Sequence, residues 1–307
     1  MVKFYKTIDG KFQEIEHYEP GCWINSIDPS EDDIKEIYSV SSTDMDFLKA
    51  ALDEEETSRI ESEDDQTLII VDVPLAQKDK DGVIYSTLPM GIITTRDCLI
   101  TVSLKESSII KEFSEGSVRN IDPNLKTRFI LQLLYRIAVR YLQYLKQIDK
   151  ISSFVERQLH RSMKNKELIQ LLDLEKSLVF FSTSLKANEI TLEKILRGKF
   201  IKLYDEDQDL LEDVLIEVKQ AIEMSNIYSN ILSGTMDAFA SVISNNLNIV
   251  MKVLTSITIL MAIPTMISSF WGMNVANLPT ANFWIVAAIA VVVTAVCAFF
   301  LNKKNML

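Results

Sequence analysis

Small polar side chains recur on one face of a long, largely apolar segment near the end of the chain. On a helical wheel at about 100° per residue they fall within an arc of roughly 100°. This face, called the polar stripe below, comprises Asp237, Ser244, Asn248, Thr255, Thr258, Thr265 and Ser269, with Met251 and Ala262 sharing it. Ser256 and Ser268 lie clearly outside it. Amide, hydroxyl and carboxylate oxygens can hydrogen-bond water, so the stripe indicates a helix face that can contact water.

Two interpretations of the polar stripe stay open from the sequence. Small and hydroxyl residues are common where membrane helices pack together, so the stripe is compatible with a helix–helix contact. Such a contact does not explain why the stripe continues to Asn248 and Asp237, beyond the apolar run, whereas a water-filled lumen does. One helical hairpin cannot enclose a lumen. The lumen interpretation therefore predicts a ring-forming homo-oligomer, with the second helix of each copy facing lipid.

Two apolar runs predict the hairpin that carries the stripe. Residues 253–271 and 283–301 are 19 residues each and contain no charged side chain. As helices they reach about 28 Å, enough to cross the hydrocarbon core of a bilayer. The sequence therefore predicts a multi-pass protein of the plasma (inner) membrane, in contact with membrane lipid.

Lysines at the outer ends of the hairpin predict its orientation. Lys252, Lys303 and Lys304 are the only charged residues after position 249, and the loop between the runs has none. Positive charge near membrane helices stays cytoplasmic, so both termini are expected in the cytosol and the loop outside. The first residues, MVKFYKTIDGKFQEIE, contain no apolar signal-peptide core. Residues 1–248 are therefore expected to stay in the cytosol.

The part before the hairpin is acidic. All 43 acidic residues but only 29 of the 32 basic ones precede residue 249, which leaves a formal charge of −14 there. This balance disfavours nucleic acid and anionic lipid as partners and favours cations, although an acidic domain is also simply more soluble. The three cysteines include no CxxC pair, so neither a disulfide framework nor a zinc site is predicted.

The residues before the hairpin predict two regions of different architecture. Residues 1–120 alternate short β-branched runs with short capped helices, which predicts an α+β domain with a mixed sheet flanked by helices. TLIIVDVPL, GVIYSTLP, MGIITTR and CLITVS are four strands expected in its antiparallel part. Residues 121–248 predict a stalk of long helices, because apolar residues recur three and four apart and neither Gly nor Pro occurs from Asn124 to Arg197. The hairpin occupies 249–307.

A tripeptide motif, together with these features, resembles the pattern of a known family. Gly272-Met273-Asn274 follows the first apolar run, which reads NIVMKVLTSITILMAIPTMISSFW, and a second run with a lysine-bearing tail comes after it. In this arrangement the chain resembles the CorA-type magnesium transporters along its whole length. The resemblance implies a homopentameric funnel whose first membrane helix lines the pore. It also implies that Gly272, Met273 and Asn274 form the selectivity filter and that Mg²⁺ enters down its electrochemical gradient.

The resemblance also implies roles for single residues. Together with the polar stripe, it gives the expected pore-lining positions, which are Asp237, Asn248, Met251, Leu254, Thr258, Ala262, Thr265 and Ser269. A hydrophobic constriction is implied from Met251 to Leu254. Mg²⁺ is implied both as cargo, hydrogen-bonded by Asn274, and as a regulatory ion bound between subunits at Asp213.

Three departures from the family pattern are visible. The external loop VANLPTAN lacks the carboxylate that the family's loop carries, which bears on cation capture. Where an N-terminal partner of Asp213 is expected the sequence has Ala50, and Asp53 is the nearest candidate ligand. The proline of the first membrane helix stands at Pro264, one residue from its expected place.

These features predict transport of divalent cations. We expect Mg²⁺ uptake across the plasma membrane, gated by cytosolic Mg²⁺, with Co²⁺ and Ni²⁺ as further candidate ions. A zinc transporter of a related subfamily is one alternative, although the central Met of the tripeptide favours magnesium. A membrane-anchored cytosolic adaptor is another, and it leaves the polar stripe unexplained. An enzyme is not expected, because His17 and His160 are the only histidines and no nucleotide-binding or hydrolase motif occurs.

Overall fold

A computed structural model describes residues 1–79, 82–162, 165–198, 200–273 and 282–304. In chain order they form β1 (Val2–Ile8), β2 (Lys11–Ile15), β3 (Trp23–Ile27), α1 (Glu31–Ser41), α2 (Met45–Ala50), β4 (Arg59–Glu63), β5 (Gln66–Asp79), β6 (Gly82–Thr94), β7 (Leu99–Ser103), α3 (Ser108–Ser114), α4 (Lys126–Ser162), α5 (Asn165–Leu196), α6 (Asp205–Trp271) and α7 (Phe283–Lys303).

One mixed sheet organises the first part of the chain. Its strand order is β2-β1-β3-β7-β6-β5-β4, with β3 and β7 parallel and the other neighbouring pairs antiparallel. Asp9 and Gly10 both have positive φ (51° and 75°) and form the tight turn between β1 and β2. The parallel pair requires a long crossover, which the segment from α1 to β6 supplies. The predicted mixed sheet flanked by helices is confirmed.

Helices cover both faces of this sheet. On one face, Ile34 and Ile37 of α1 and Phe47 and Leu48 of α2 pack into a buried core with strand residues such as Ile24. These apolar positions recur three and four apart on α1, so burial of one helix face follows from the sequence pattern. The core fixes α1 and α2 against the central strands.

An aromatic cluster occupies the other face. Trp23 of β3 is fully buried, and its indole N–H donates to Thr101 Oγ1 at 2.8 Å. Its ring centroid lies 5.2 Å from that of Phe129 on α4 and 6.4 Å from that of Phe113 on α3. Large rings at this spacing combine area burial with favourable edge contacts. The cluster therefore fastens α3 and the start of α4 to the sheet.

The antiparallel part of the sheet differs from its prediction in two strands. GVIYSTLP and MGIITTR form one strand, β6, which pairs with β5 along its length. Pro89 does not interrupt β6, because β7 pairs only from Met90 onward and Pro89 lacks a strand neighbour on that side. The edge strand β4 is an addition to the prediction: its sequence RIESE buries only Ile60, so it lacks the alternation of a half-buried strand.

A polar junction joins β5 to α5 beside the start of β4. Beyond Ile70, the last partner of β4, the Asn188 side chain accepts from the Asp72 N–H (2.9 Å) and donates to the Asp72 carbonyl (2.9 Å). The Tyr141 hydroxyl of α4 donates to the same carbonyl at 3.0 Å. Burial raises the pKa of the Asp72 carboxyl, and a hydrogen bond with Ser184 opposes this only in part. The junction therefore holds a carboxyl whose charged form is poorly solvated.

Asp72→Asn is expected to raise the free energy of unfolding at pH 7 by about 1 kcal/mol, because the amide has no charge to desolvate. The pKa of Asp72 is higher in the folded protein than its ordinary value of 3.8. Ionised Asp72 therefore lowers the free energy of unfolding. This loss of stability is absent below pH 3.8 and grows as the pH rises through the folded pKa. The advantage of the variant should thus shrink toward pH 4. Thermal unfolding of the full chain in detergent between pH 4 and 8 measures it. The exposed Glu63 supplies the control Glu63→Gln, and a pH-independent advantage of Asp72→Asn would contradict the expectation.

Long helices follow the sheet. α4 spans Lys126–Ser162 and α5 spans Asn165–Leu196. α6 then continues for 67 residues and includes Pro264. Among the described residues, α6 and α7 are the two helices long and apolar enough to cross a membrane, and their apolar stretches are almost entirely unburied within the chain. This agrees with the predicted hairpin.

The chain divides into two compact units, Met1–Thr235 and Met236–Leu307. α6 contributes residues to both of them. The sequence-based division into 1–120, 121–248 and 249–307 stays a prediction.

Candidate functional site

The polar stripe lies entirely within the second unit, Met236–Leu307. Its first part on α6 is exposed, including Asp237 and Asn248. Met251 and Leu254, the implied constriction, are 52% and 57% exposed. Two large apolar side chains that their own chain leaves uncovered are suited to meeting their counterparts in other copies.

Four of the expected pore-lining residues share one groove. Thr258, Ala262, Thr265 and Ser269 line a groove of about 570 Å³ along α6. Met273 of the expected filter lines it as well, together with Met261, Met266 and Phe270. The last three are absent from the sequence-based set, although Met261 and Met266 each lie three and four residues from stripe members, which was a usable signal. The groove connects the upper stripe with the filter segment.

The shielded face of α6 lies on the other side of the helix. Ser256 is fully buried, and Leu260, Ile263, Ile267 and Trp271 are half-buried at helical spacing. The half-buried residues of α7 also recur three and four apart, and we infer that the covered faces of α6 and α7 are turned toward each other. At about 100° per residue, the shielded face is centred about 150° from the polar stripe. The stripe thus lies opposite the covered face of α6, as the lumen interpretation requires.

The stripe hydroxyls donate within their own helix. Thr258 donates to the carbonyl of Leu254 at 2.8 Å, and Thr265 donates to the carbonyl of Met261 at 3.0 Å. A hydroxyl that donates its proton to a backbone carbonyl can act only as an acceptor toward other groups, through its lone pairs. The waters around a cation turn their hydrogens outward, so acceptors of this kind can bind a hydrated ion. From 253 to 271 these acceptors carry no fixed charge.

The expected filter begins where α6 ends. Gly272 directly follows the last helical residue, and its N–H donates to the Ser268 carbonyl at 2.9 Å. A Cβ at Gly272 would lie only 3.3 Å from that carbonyl oxygen, so a side chain fits poorly here. Met273 is 53% exposed. Asn274 lies outside the described residues, and its role stays a prediction.

The two carboxylates implied for regulation lie in the first unit and are both exposed. Asp53 accepts from the Glu55 N–H at 3.0 Å and lines an acidic groove with Glu31 and Glu54. Asp213 lies on the N-terminal part of α6. Among the described residues, no three His, Cys, Asp or Glu side chains come close enough to hold a metal ion.

Comparisons with known proteins identify related proteins. A family model described as CorA-like Mg²⁺ transporter protein matches residues 19–304. The chain is 29% identical over 297 residues to the cobalt/magnesium transport protein CorA of Methanocaldococcus jannaschii, across 92% of this chain and 90% of that protein.

Two solved structures share the fold. The complete structure of the CorA magnesium transporter from Methanocaldococcus jannaschii gives a TM-score of 0.86 at 24% identity, covering 100% of this chain and 99% of that one. The cytoplasmic domain of ZntB from Vibrio parahaemolyticus gives a TM-score of 0.60 at 12% identity, covering 80% of this chain and 97% of that one.

Proposed function

Because the chain belongs to the CorA-like Mg²⁺ transporter family, we propose that it is a divalent-cation channel that conducts Mg²⁺ into the cytosol. Family membership supports transport rather than catalysis. The observation that carries the proposal is the row of uncharged acceptors that α6 carries between residues 253 and 271, on the face opposite its shielded one. Co²⁺ and Ni²⁺ are further candidate ions, and the similar protein of Methanocaldococcus jannaschii is named for both cobalt and magnesium.

The channel is proposed to be a homo-oligomer, because a single copy of α6 cannot enclose a path. Several copies arranged around one axis place their polar stripes on a common lumen. α7 then lies outside that ring, where its side chains, none of them buried within the chain, contact lipid. The family resemblance favours five copies. Native mass spectrometry of the detergent-purified protein counts them.

The filter is proposed to bind Mg²⁺ with its water shell in place. Mg²⁺ holds water at about 2.0–2.1 Å and loses it reluctantly, so a filter that strips the ion is slow. Asn274 places a ring of amide oxygens at the mouth, and these accept hydrogen bonds from the shell. Neutral acceptors attract the ion weakly enough for it to leave. Gly272 and Met273 hold the segment that carries Asn274.

The hairpin is proposed to place the loop outside and both termini in the cytosol. Lys252, Lys303 and Lys304 lie on the side away from the loop, which supports this orientation. Phe283 and Trp284 begin α7 at the loop side, are 73% and 76% exposed, and suit the outer lipid–water interface.

Ion flux into liposomes that contain only the purified protein tests the proposal. Inward Mg²⁺, Co²⁺, Ni²⁺ and Zn²⁺ gradients are compared under one membrane potential. Mg²⁺ entry above that of empty vesicles is the expected result. Flux of Zn²⁺ without flux of Mg²⁺ would establish the zinc-transporter alternative. If none of the four ions enters, the channel proposal is wrong and the membrane-anchored adaptor is the remaining alternative.

Regulation is proposed to act through Mg²⁺ bound between the acidic first units of neighbouring copies. Since the part before the hairpin carries −14, neighbouring copies repel one another unless cations lie between them. When cytosolic Mg²⁺ falls, loss of the bound ion then loosens the ring and widens the path. Flux therefore rises when the cytosol is short of Mg²⁺, as an uptake system requires. Asp213 is the proposed ligand, with Asp53 the candidate partner.

Asp213→Ala is expected to shift inhibition of flux to internal Mg²⁺ concentrations several-fold higher, and to weaken the protection of α6 from protease by Mg²⁺. Both effects follow from loss of a ligand that favours the closed ring. Asp53→Ala should act in the same direction if it completes the site. Glu36→Ala removes an exposed carboxylate of α1 as the control. Unchanged inhibition and protection in the single and double variants would remove the regulatory site from the proposal.

A further inference from the structure

Two cysteines far apart in the sequence are neighbours in the sheet. β3 and β7 pair in parallel with Trp23 opposite Leu99, and Cys22 and Cys98 directly precede that pair. The Leu99 N–H donates to the Cys22 carbonyl at 3.2 Å, so the pairing continues to the cysteines. Both side chains belong to the same buried core on the α1–α2 face, and both thiols are free. The two sulfur-bearing side chains therefore stand side by side on one face.

The separation of neighbouring strands suits a covalent link between them. Adjacent strands lie about 4.7–4.9 Å apart, and disulfides join residues whose Cα atoms are about 4.4–6.8 Å apart. We propose that Cys22 and Cys98 form a reversible disulfide when the protein meets a peroxide. The pair is a modification site in the first unit, separate from the proposed ion path in the second.

The oxidation is a balanced two-electron step. One thiol, as its thiolate, attacks a peroxide oxygen and becomes a sulfenic acid, while the peroxide O–O bond breaks and its other oxygen leaves as water after taking up a proton. The second thiol attacks the sulfenic sulfur, the S–S bond forms, and the sulfenic oxygen leaves as water. Two thiols and one hydrogen peroxide thus give one disulfide and two waters.

Burial sets the rate of this reaction. Both cysteines are fully buried, and burial raises the pKa of Cys98 to about 11 and raises that of Cys22. Buried, protonated thiols react slowly, so oxidation proceeds through local opening of the chain. The pair lies close to exposed residues along the chain: Pro20 is two positions before Cys22, and Asp97 directly precedes Cys98. In a reducing cytosol the pair rests as thiols.

The disulfide would form where α4 is anchored to the sheet. Lys126, the first residue of α4, donates its ammonium group to the carbonyls of Thr95 (2.7 Å) and Arg96 (2.5 Å) in the turn before Cys98. The Gly21 N–H donates to the Asp97 carbonyl at 2.6 Å and holds the segment before Cys22 against the same turn. A covalent bond at this point ties together the two segments that support the start of α4.

Peroxide oxidation of the full-length protein tests the proposal, in a Cys297→Ala background that leaves only the two thiols. Hydrogen peroxide treatment, denaturation with iodoacetamide and non-reducing peptide mass spectrometry should show a linked Cys22–Cys98 peptide pair. The linked pair should be two hydrogens lighter than the sum of its parts and should disappear after dithiothreitol. The rate should rise roughly tenfold per pH unit between pH 6.5 and 8, as the thiolate fraction does.

Serine variants supply the controls. Cys22→Ser and Cys98→Ser should each abolish the link and leave the other cysteine as thiol or sulfinic acid. Recovery of both cysteines as labelled thiols, or their separate oxidation to sulfinic acid without a link, would overturn the proposal. A link that appears as a covalent dimer on a denaturing gel would overturn it too, because the geometry joins two cysteines of one chain. If a serine variant does not fold, the background protein alone still decides between these outcomes.

Discussion

Asn274→Ala should reduce divalent-cation flux at least a hundredfold while leaving the oligomer assembled. The residue supplies the ring of amide oxygens that is proposed to hold the hydrated ion at the mouth, and alanine has no acceptor to replace it. Removal of one preorganised acceptor from every subunit multiplies its effect around the ring. The measurement is initial Mg²⁺ uptake into proteoliposomes at matched protein content, with native mass spectrometry to confirm the oligomer.

A second asparagine in the same loop provides the control. Asn277→Ala makes the same chemical change three residues further on, and its flux should stay close to that of the wild type. Wild-type uptake by Asn274→Ala would remove the filter assignment. Equal losses in both variants would show that loop structure, rather than one amide ring, governs entry.

Met251→Ser should keep the channel conducting at internal Mg²⁺ concentrations that close the wild type, with residual flux about tenfold or more above it. Met251 is 52% exposed on the polar stripe, where copies around an axis bring apolar side chains together. A narrow apolar ring closes by losing water, and a hydroxyl ring retains water in the same space. Flux at low and high internal Mg²⁺ in proteoliposomes measures the effect.

Val253→Ser is the matched control for this gate. Val253 lies two residues further along α6, about 200° around the helix from Met251, so its side chain is turned away from the proposed lumen. Closure at high Mg²⁺ should be normal in this variant. If Met251→Ser also closes normally, the gate lies elsewhere, with Leu254 the next candidate.

Several elements could be predicted because their signals are local. The capped helix α1 and the turn at Asp9-Gly10 each depend on a few neighbouring residues. β4 and the continuity of β6 were not predicted correctly. β4 is an edge strand with one buried residue, and Pro89 lies in β6 where no β7 residue pairs with it. Both features depend on strand pairing elsewhere in the sheet and not on the local sequence.

The candidate site divides in the same way. The order of stripe residues along α6 follows from helical periodicity, so the positions of Thr258, Thr265 and Ser269 in the sequence suffice to place them on one helix face. The groove neighbours Met261 and Met266 were missed, because apolar residues in an apolar run do not stand out from their surroundings. The filter tripeptide was recognised by its position after the first run, which is again a sequence property.

By itself the sequence determined the membrane hairpin, the acidic part before it, and a stripe of uncharged acceptors in the first membrane helix. All three are sums or periodicities of residue properties along the chain, so they do not depend on contacts between residues that are far apart in sequence. Tertiary structure alone decided that the stripe lies opposite the covered face of α6, because only the burial of Ser256 and its neighbours shows which face of that helix is covered. It also decided that Cys22 and Cys98 are neighbours and that Asp72 is held in a buried junction. These contacts join residues that are remote in sequence, and pairing of that kind is fixed by the register of a folded sheet and not by any local pattern.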